Sequence, residues 1–447
     1  MKEKKKKRGL GWKIPLYILG GLMLFFVLIG FVNHCLNWSL RAYIKSFSAV
    51  EYDSDRLVPT LDENGYYVFT TDDDLKVLQI TDVHLGGGFL SYNKDKEAIN
   101  CVMTMIQTEK PDLVIYTGDN VFAVPQTSGT INNRMVSKTF ILMNEQLGCY
   151  YTTTFGNHDS EVFDYYNREA LAELYSKDKW THCLYKESVT DITGESNQVI
   201  LVKRTDGLIS KALFMLDSNS YINGSINAVL NWQYDIIHQD QVNWMKNTII
   251  SLSSYNNQIL STMTDTEKPD DLDNFTTVKS LLFIHIPTGE FKTAYEELKA
   301  NDFLDTADSH YIGGVMDEKD EPYIWYGGYN VLAENPVSPN QEDDLFETIK
   351  TTGSLEAIFC GHDHLNNFQI DYQGVLLSYG YSVDYLAYSG IDQYGLQRGL
   401  TVINISSSGD FTETHENYYQ DKYVSEKGKE EVNLTDYYNE AVYPSLD

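Results

Sequence analysis

The chain has 447 residues, of which 34 are Lys or Arg and 64 are Asp or Glu, so its formal net charge is −30. This length is enough for a large hydrophobic core, in one large domain or two. Hydrophobic residues make up 42% and charged residues 22% of the chain, which excludes an intrinsically disordered protein. The acidic balance argues against a nucleic-acid-binding protein, because a phosphate backbone is bound by basic surface.

The N-terminal end has the opposite charge. Residues 1–13 carry seven basic side chains and one acidic one, and residues 14–32 follow without any charge. A helix of that length, at about 1.5 Å per residue, approaches the ~30 Å hydrocarbon core of a bilayer. The alternative is a cleaved signal peptide, whose apolar core is only about 7–15 residues long and ends in a small-residue cleavage site. The run Phe31–Cys35 contains no such site.

We therefore predict a basic cytoplasmic segment at residues 1–13 and an uncleaved transmembrane anchor at residues 14–32. By the positive-inside rule, the basic residues stay in the cytoplasm and the rest of the chain lies outside. The expected location is the cell membrane, crossed once. Residues 33–70 contain acidic and turn-forming residues and predict a juxtamembrane linker.

From residue 71 onward, strand and helix patterns alternate. Apolar runs predict strands at 75–81, 113–117, 149–155, 198–203, 211–216, 281–286, 355–360, 374–379 and 400–405, and helical spacing predicts helices at 94–110 and 239–250. Residues 254–275 and 301–342 predict long loops, which in a compact domain are often functional. Residues 71–412 are thus expected to form one α/β domain, followed by an acidic tail at residues 413–447.

Five of these strands run directly into polar residues that can bind metals. The segments are Asp82-Val83-His84, Gly118-Asp119-Asn120, Gly156-Asn157-His158-Asp159, His285, and Gly361-His362-Asp363-His364. A single histidine of this kind is most often structural. Five of the ten histidines at strand ends, together with Asp and Asn, instead predict a common site, because ligands bind at the carboxyl ends of strands in open α/β sheets.

The residue types indicate two metal ions. A pair of divalent ions about 3.5–4 Å apart needs mixed nitrogen and oxygen ligands and one ligand shared between them. Imidazoles and carboxylates suit Mn, Fe or Zn, and the sequence does not choose among these. The spacing of two residues between Asp82 and His84, and between His362 and His364, is typical of a turn after a strand rather than of a metal-binding helix.

These motifs resemble those of the calcineurin-like metallophosphoesterase superfamily, which includes the purple acid phosphatases, over roughly residues 75–406. The resemblance implies a layered β-sandwich flanked by helices, preceded here by the transmembrane helix. It also implies the ligand roles: Asp82, His84 and His364 bind one metal, Asp119 bridges both, and Asn157, His285 and His362 bind the other. It implies further that His158 faces the substrate as a catalytic residue and that Asp159 orients His158.

A narrower resemblance, to the branch of Dcr2-type phosphatases and plant purple-acid-phosphatase-29-like proteins, rests on Leu216–Ser218, Asp240–Trp244, His285–Pro287 and Gly361–Asn367. The run Asp240–Trp244 fits a helix start with a buried tryptophan equally well. Phe122 stands where purple acid phosphatases carry a tyrosine, so the resemblance does not imply their coloured iron site.

The expected function is an outward-facing phosphoesterase that hydrolyses phosphate esters by metal-activated water, with phosphomonoesters favoured. The alternatives are a phosphodiesterase acting on lipid head groups, nucleotides or cell-wall polymers, and a non-catalytic surface binding module. No substrate-binding residue is assigned. Gly86–Gly88 fits a phosphate-binding loop or a plain flexible loop, and the aromatic residues between Tyr323 and Tyr329 fit a stacking surface or a packed cluster.

Overall fold

A computed structural model describes residues 14–53, 56–188, 191–222, 234–314, 344–387 and 398–430. The strands are β1 (Thr60–Leu61), β2 (Tyr67–Thr70), β3 (Leu75–Ile80), β4 (Leu113–Thr117), β5 (Tyr150–Thr154), β6 (Gln198–Lys203), β7 (Ile209–Met215), β8 (Ser280–Phe283), β9 (Ser309–Gly313), β10 (Leu355–Cys360), β11 (Gln369–Tyr372), β12 (Val375–Tyr379), β13 (Gly399–Ile405) and β14 (Phe411–Asn417). The helices are α1 (Ile14–Ile44), α2 (Tyr92–Glu109), α3 (Asn133–Leu147), α4 (Arg168–Tyr175), α5 (Gln239–Thr262), α6 (Asp273–Thr276), α7 (Gly289–Ala300) and α8 (Leu345–Lys350).

The strands form two sheets. The five-stranded sheet has the order β14-β13-β3-β4-β5, and β3, β4 and β5 run parallel. The nine-stranded sheet has the order β1-β2-β6-β7-β8-β10-β12-β11-β9, and its centre from β7 through β12 is also parallel. Parallel neighbours need crossover connections, which the helices between the strands supply.

The two sheets pack face to face, with helices on both outer faces. Side chains from both sheets fill the core between them, including Phe69, Val77, Ile115, Leu213, Phe283 and Phe359. The outer face of the five-stranded sheet packs against α1–α4, and that of the nine-stranded sheet against α5, α7 and α8. Every residue of β4 is therefore buried, which explains its continuous apolar run. The predicted α/β sandwich flanked by helices is confirmed.

Each predicted strand overlaps an observed strand, and the two predicted helices overlap α2 and α5. The structure differs in the first predicted loop. Helix α5 continues to Thr262, because Leu252, Asn256 and Leu260 extend its buried face at helical spacing. Within the second predicted loop, residues 309–313 form β9, and the aromatic residues from Tyr323 to Tyr329 lie outside the described residues.

Helix α1 is longer than the predicted anchor. It is the one helix of the described residues that is long and apolar enough to cross a membrane, or to serve as a signal sequence. Most of its large apolar side chains from Leu16 to Phe31 are exposed. Beyond Val32 the same helix packs on the domain through one face, formed by Asn33, Asn37, Leu40 and Ile44. The basic segment 1–13 lies outside the described residues.

The boundaries of the predicted linker and tail also differ from the observed elements. Residues 33–44 are helical, and β2 pairs with β6 as part of the nine-stranded sheet, so much of 33–70 is built into the fold. Asn33, at the start of the predicted linker, is buried and hydrogen-bonded to the domain. Strand β14 extends to Asn417, so the domain continues past the predicted start of the tail at residue 413.

Candidate metal centre

The predicted ligands follow β3, β4 and β5 of one sheet and β8 and β10 of the other, and they meet at one end of the sandwich. They form two groups, whose potential ligand atoms all lie within 4.8 Å of one another in each group. The first ligand group consists of Asp82, His84 and His364, and the second ligand group consists of Asp119, His285 and His362. Five separate strand ends thus contribute to one compact centre.

Asp119, a member of the second ligand group, also lies close to the first. Its Oδ2 atom is 3.5 Å from His84 Nε2 in the first ligand group and 3.1 Å from His285 Nε2 in the second. Asn157 lies on the side of the second group, with Oδ1 3.2 Å from His285 Nε2 and 3.0 Å from His362 Nδ1. The structure therefore brings Asp119 close to a histidine of each group and Asn157 close to two histidines of the second group.

The ligand turns have an unusual backbone. Asp82, His84, Asp119 and His362 have φ angles of 54°, 49°, 50° and 85°, in the left-handed region that non-glycine residues seldom adopt. Such strain persists only where the surroundings hold it. Here the turns after β3 and β4 hold each other, since the N–H groups of Asp82 and His84 donate to the carbonyls of Gly118 and Asp119.

Two motif glycines allow the turns to approach one another. A Cβ atom on Gly156 would lie 2.1 Å from Asp119 Oδ1, and one on Gly361 would lie 1.9 Å from Thr81 Oγ1 and 2.6 Å from Asp82 Oδ2. No larger residue fits at either position without moving a ligand. The glycines preceding the ligands are thus part of the geometry of the centre.

Burial and neighbouring charges set the protonation of the ligands. Burial raises the pKa of the Asp82 carboxyl, but the imidazoles of His364 and His84 outweigh that effect and leave the pKa well below its usual value. The pKa of Asp119 is lowered because His285 and His158 outweigh its burial. Burial, together with the charge of His285, lowers the pKa of His362 to about 3. Ionised carboxylates and a neutral imidazole are the forms that coordinate metals.

The centre has buried atoms that lack protein partners. Among the described residues, Asp82 Oδ1, His84 Nε2 and Asp119 Oδ2 are buried and have no hydrogen-bond partner. Leaving such atoms unsatisfied is costly, so native proteins seldom do so. A cation bound at each ligand group would satisfy them. The mixed nitrogen and oxygen donors fit a pair of divalent ions such as Mn, Fe or Zn.

Two ligand imidazoles are oriented by contacts to their Nδ1 atoms, the ring nitrogens that face away from the ligand groups. His285 Nδ1 lies 2.8 Å from the carbonyl oxygen of Thr117, which leaves Nε2 toward Asp119. His364 Nδ1 lies 3.1 Å from Asp384 Oδ2, while Nε2 lies 3.4 Å from Asp82 Oδ1. A carbonyl or carboxylate on the second nitrogen is the usual support of a metal-binding histidine. The sequence analysis did not find Asp384, because no motif surrounds it.

His158 lies beside the ligand groups without joining either. Its ring is 5.5 Å from that of His84 and 4.8 Å from that of Phe122, measured between centroids, and its side chain is 21% exposed. Its Nδ1 is 2.5 Å from Glu161 Oε1, so Nε2 is the nitrogen left to face a substrate. Burial lowers the pKa of His158, but Asp119 and Glu161 together raise it to about 9. The carboxylates of Asp119 and Glu161 thus favour the protonated form of this imidazole.

The structure differs from the prediction that Asp159 orients His158. The Asp159 carboxylate accepts hydrogen bonds from four backbone N–H groups instead, those of Gly156, Asp119, Asn120 and Val121. It therefore fixes the turn that carries Asp119, and Glu161 is the carboxylate in contact with the imidazole. Asp159 could be predicted because it belongs to the motif. Glu161 lies three residues beyond His158, outside the motif, and its acidic side chain was the only signal in the sequence.

The other residues considered in the sequence analysis have structural roles. The N–H groups of Gly86 and Gly87 donate to the buried carboxylate of Asp95, so this loop is tied to α2 rather than open to a phosphate. Asp240 lies in the first turn of α5, and Trp244 packs on Phe214. Two tyrosines that the sequence analysis missed line the second ligand group: Tyr221 OH accepts from Asn157 Nδ2, and the Tyr234 ring meets His362 edge-on.

Two plant proteins and one solved structure are similar to this chain. A protein of Arabidopsis thaliana named probable inactive purple acid phosphatase 14 is 24% identical over 362 residues, which cover 75% of this chain and 76% of that protein. Probable inactive purple acid phosphatase 29 of the same plant is 23% identical over 351 residues, covering 74% and 77%. A solved structure of a dimetal phosphatase from Danio rerio has a TM-score of 0.45 at 10% identity and covers 78% of this chain and 98% of that one.

The family comparison is the most specific. The profile described as calcineurin-like phosphoesterase matches residues 75–366. This range includes every predicted metal ligand, from Asp82 to His364, and more than half of the chain. The resemblance drawn from the motifs is therefore confirmed, and the chain belongs to the calcineurin-like phosphoesterase family.

Proposed function

We propose that this protein is a membrane-anchored phosphoesterase that depends on two divalent metal ions and hydrolyses phosphate monoesters outside the cell. One observation carries the proposal: Asp119 belongs to the second ligand group, and its Oδ2 atom is within 3.5 Å of a histidine from each group. A carboxylate shared in this way supports a dinuclear centre rather than two unrelated sites.

The proposed roles of the residues follow from their positions. Asp82, His84 and His364 would hold one ion, His285, His362 and Asn157 the other, and Asp119 both. Bound divalent ions supply Lewis acidity that polarises a phosphoryl group and activates water at neutral pH. His158 would donate a proton from Nε2 to the departing oxygen, because Glu161 contacts Nδ1 and favours the charged imidazole. Phe122 packs against His158 and His84 and keeps water from that side.

The anchor is a separate part of the proposal. The exposed apolar length of α1 supports a membrane-spanning segment at residues 14–32, and the basic residues before it support a cytoplasmic N-terminus. The domain would then lie outside the cell. The continuation of α1 onto the domain supports retention of the whole helix, because cleavage after Val32 would cut a helix whose next residue, Asn33, is bonded to the domain.

A second candidate is a non-catalytic binding module, which the names of the two Arabidopsis relatives favour, since both are called probable inactive. Against it stand the seven predicted ligands and His158, which are all present and lie together in this chain. A module that had lost catalysis would be expected to have lost some of them.

The test uses the full-length chain in detergent, reconstituted with Mn, Zn or Fe, and measures hydrolysis of nitrophenyl phosphate and bis-nitrophenyl phosphate. The proposal expects metal-dependent turnover with preference for the monoester. Asp119→Asn and His158→Ala should each reduce turnover by roughly 10²-fold or more, and only the former should reduce the metal content. Asp265→Asn is the matched control, because that side chain is 99% exposed. Wild-type turnover in either variant, or metal-loaded protein without turnover, would contradict it.

A further inference from the structure

The end of the apolar span is in direct contact with loops of the candidate centre. Asn33, the residue after the last predicted membrane position, accepts from the N–H of Phe89 at 2.9 Å and donates to the carbonyl of Gly129 at 2.9 Å. One turn further along α1, Asn37 donates to the carbonyl of Gly87. The loop at residues 87–89, which follows Asp82 and His84, is therefore bonded to α1 at the point where the exposed apolar stretch of that helix ends.

This loop and its neighbours carry a patch of exposed apolar side chains, here called the apolar rim. Its members are Phe89, Leu90, Ile131, Val162, Phe163 and Tyr165, each between 38% and 71% exposed. Backbone hydrogen bonds join its loops, from Leu90 to Ser128 and from Tyr165 to Ile131. Clustered exposed apolar residues of this kind mark an interaction surface, whereas single ones do not.

The apolar rim also borders the centre. Phe89 follows His84 by five residues, and Val162 directly follows Glu161, which contacts His158. An extended chain spans at most about 3.6 Å per residue, so the backbone of Phe89 lies within about 18 Å of that of His84. Whatever covers the rim is therefore within reach of the proposed phosphate site.

One basic residue lies next to the rim along the chain. Arg134, in the first turn of α3, follows Ile131 of the rim by three residues. A cation at this position suits the anionic surface of a membrane.

We propose that the apolar rim rests in the outer surface of the membrane that α1 crosses, and that the phosphate ester this protein hydrolyses is carried by an anionic membrane lipid. The inference rests on the proposed function for the substrate and on an uncleaved α1 for the docking. The membrane is the occupant because the rim is bonded to the residue at which the lipid-facing surface of α1 ends. Aromatic and apolar side chains beside a cation are the composition that membrane interfaces favour.

The first experiment measures contact with lipid and needs no turnover. The full-length protein is placed in nanodiscs whose lipids carry bromine on the acyl chains, which quenches tryptophan fluorescence at close range. Phe163→Trp should add fluorescence that these lipids quench, relative to the unsubstituted protein. Leu304→Trp is the matched control, because Leu304 is 66% exposed and follows Phe303, which packs on the opposite helix layer. Equal quenching of the two added tryptophans, or none at position 163, would overturn the docking.

The second experiment measures substrate choice. Phe89→Ser with Leu90→Ser removes two exposed rim side chains outside the ligand groups, and Leu272→Ser with Leu304→Ser removes two exposed apolar side chains elsewhere. Turnover of phosphatidate in the nanodisc should fall about tenfold or more in the rim variant, because a misplaced substrate reacts slowly. Turnover of soluble nitrophenyl phosphate should stay unchanged in both. Equal loss for both substrates, or no loss for phosphatidate, would overturn the lipid assignment.

The two proposals fail in different ways. If neither ester is hydrolysed but position 163 is quenched, the docking is upheld and the proposed function fails, together with the lipid substrate that rests on it. If nitrophenyl phosphate alone is hydrolysed and position 163 is not quenched, the proposed function is upheld and the rim inference fails. In the second case, concentration-dependent self-association of the unsubstituted protein that the rim variant abolishes would assign the rim to a second copy of the chain.

Discussion

Replacing Glu161 by Gln should slow hydrolysis by about 10–100-fold without loss of metal, because Glu161 supports His158 rather than a ligand. Glu161 Oε1 lies 2.5 Å from His158 Nδ1, and the glutamate side chain is only 3% exposed, so water does not screen its charge. A glutamine amide keeps the shape but not the charge that favours the protonated imidazole. Since tenfold corresponds to about 1.4 kcal/mol, the expected increase in activation free energy is about 1.4–2.7 kcal/mol.

The assay is a double-mutant cycle on the full-length chain in detergent, with kcat for nitrophenyl phosphate as the readout. His158→Ala should cost about 10²–10⁴-fold. Because Glu161 acts through the imidazole, the double variant should be no slower than His158→Ala alone. Asp159→Asn is the matched comparison, since the Asp159 carboxylate bonds backbone N–H groups and not the imidazole. The effect of Asp159→Asn on the activation free energy should add to that of His158→Ala. Asp159→Asn should also lower the Tm.

Two results would refute this reasoning. One is an unchanged kcat in Glu161→Gln. The other is a double variant slowed by the product of the two single effects, which would mean that Glu161 and His158 act independently. Coupling of Asp159→Asn with His158→Ala would instead restore the role that the motif alone suggested for Asp159.

Three further predictions concern the scaffold. Gly361→Ala should abolish metal binding, measured by elemental analysis, because its Cβ would lie 1.9 Å from the buried Thr81 hydroxyl. Gly313→Ala should leave metal binding unchanged, because the space around Gly313 is open. Leu40→Ala should destabilise the domain by about 2–5 kcal/mol and lower its Tm in detergent, while Leu28→Ala on the exposed part of the same helix should change it by less than about 0.5 kcal/mol. Asp384→Asn should weaken the binding of one of the two ions by about 10–100-fold, because the carboxylate contacts His364. In a chelator titration, one ion per chain should then be lost before the other.

The sequence could indicate which polar residues come together because each of them follows a short local pattern. An apolar run that is buried on both faces ends in a glycine or a polar residue, and both parts of that pattern can be read without knowing the fold. The residues that support the ligands follow no such pattern. Asp384 reaches His364 from a loop twenty residues further along the chain, and its contact depends on how β12 and β13 are connected.

The helix that contains the predicted anchor continues beyond it for a related reason. After Val32 the helix buries Asn33 and Asn37 as well as Leu40 and Ile44, so two of the four positions on its buried face are polar. The apolar pattern in the sequence therefore ends at Val32, although the helix itself continues to Ile44. The buried asparagines are satisfied by backbone groups of distant loops, which no local rule can anticipate.

These contacts make the anchor part of the scaffold of the centre. The chain runs from His84 through Gly86 and Gly87, whose N–H groups bond to Asp95, and the carbonyl of Gly87 accepts from Asn37 on α1. These hydrogen bonds join α1 and α2 to the loop that directly follows the first ligand pair. If α1 crosses a membrane as proposed, this rigid helical connection would fix one orientation of the domain, whereas a flexible linker would let it tumble above the bilayer. The fold would then set the position of the centre relative to the membrane, with the apolar rim on the side turned toward the lipid.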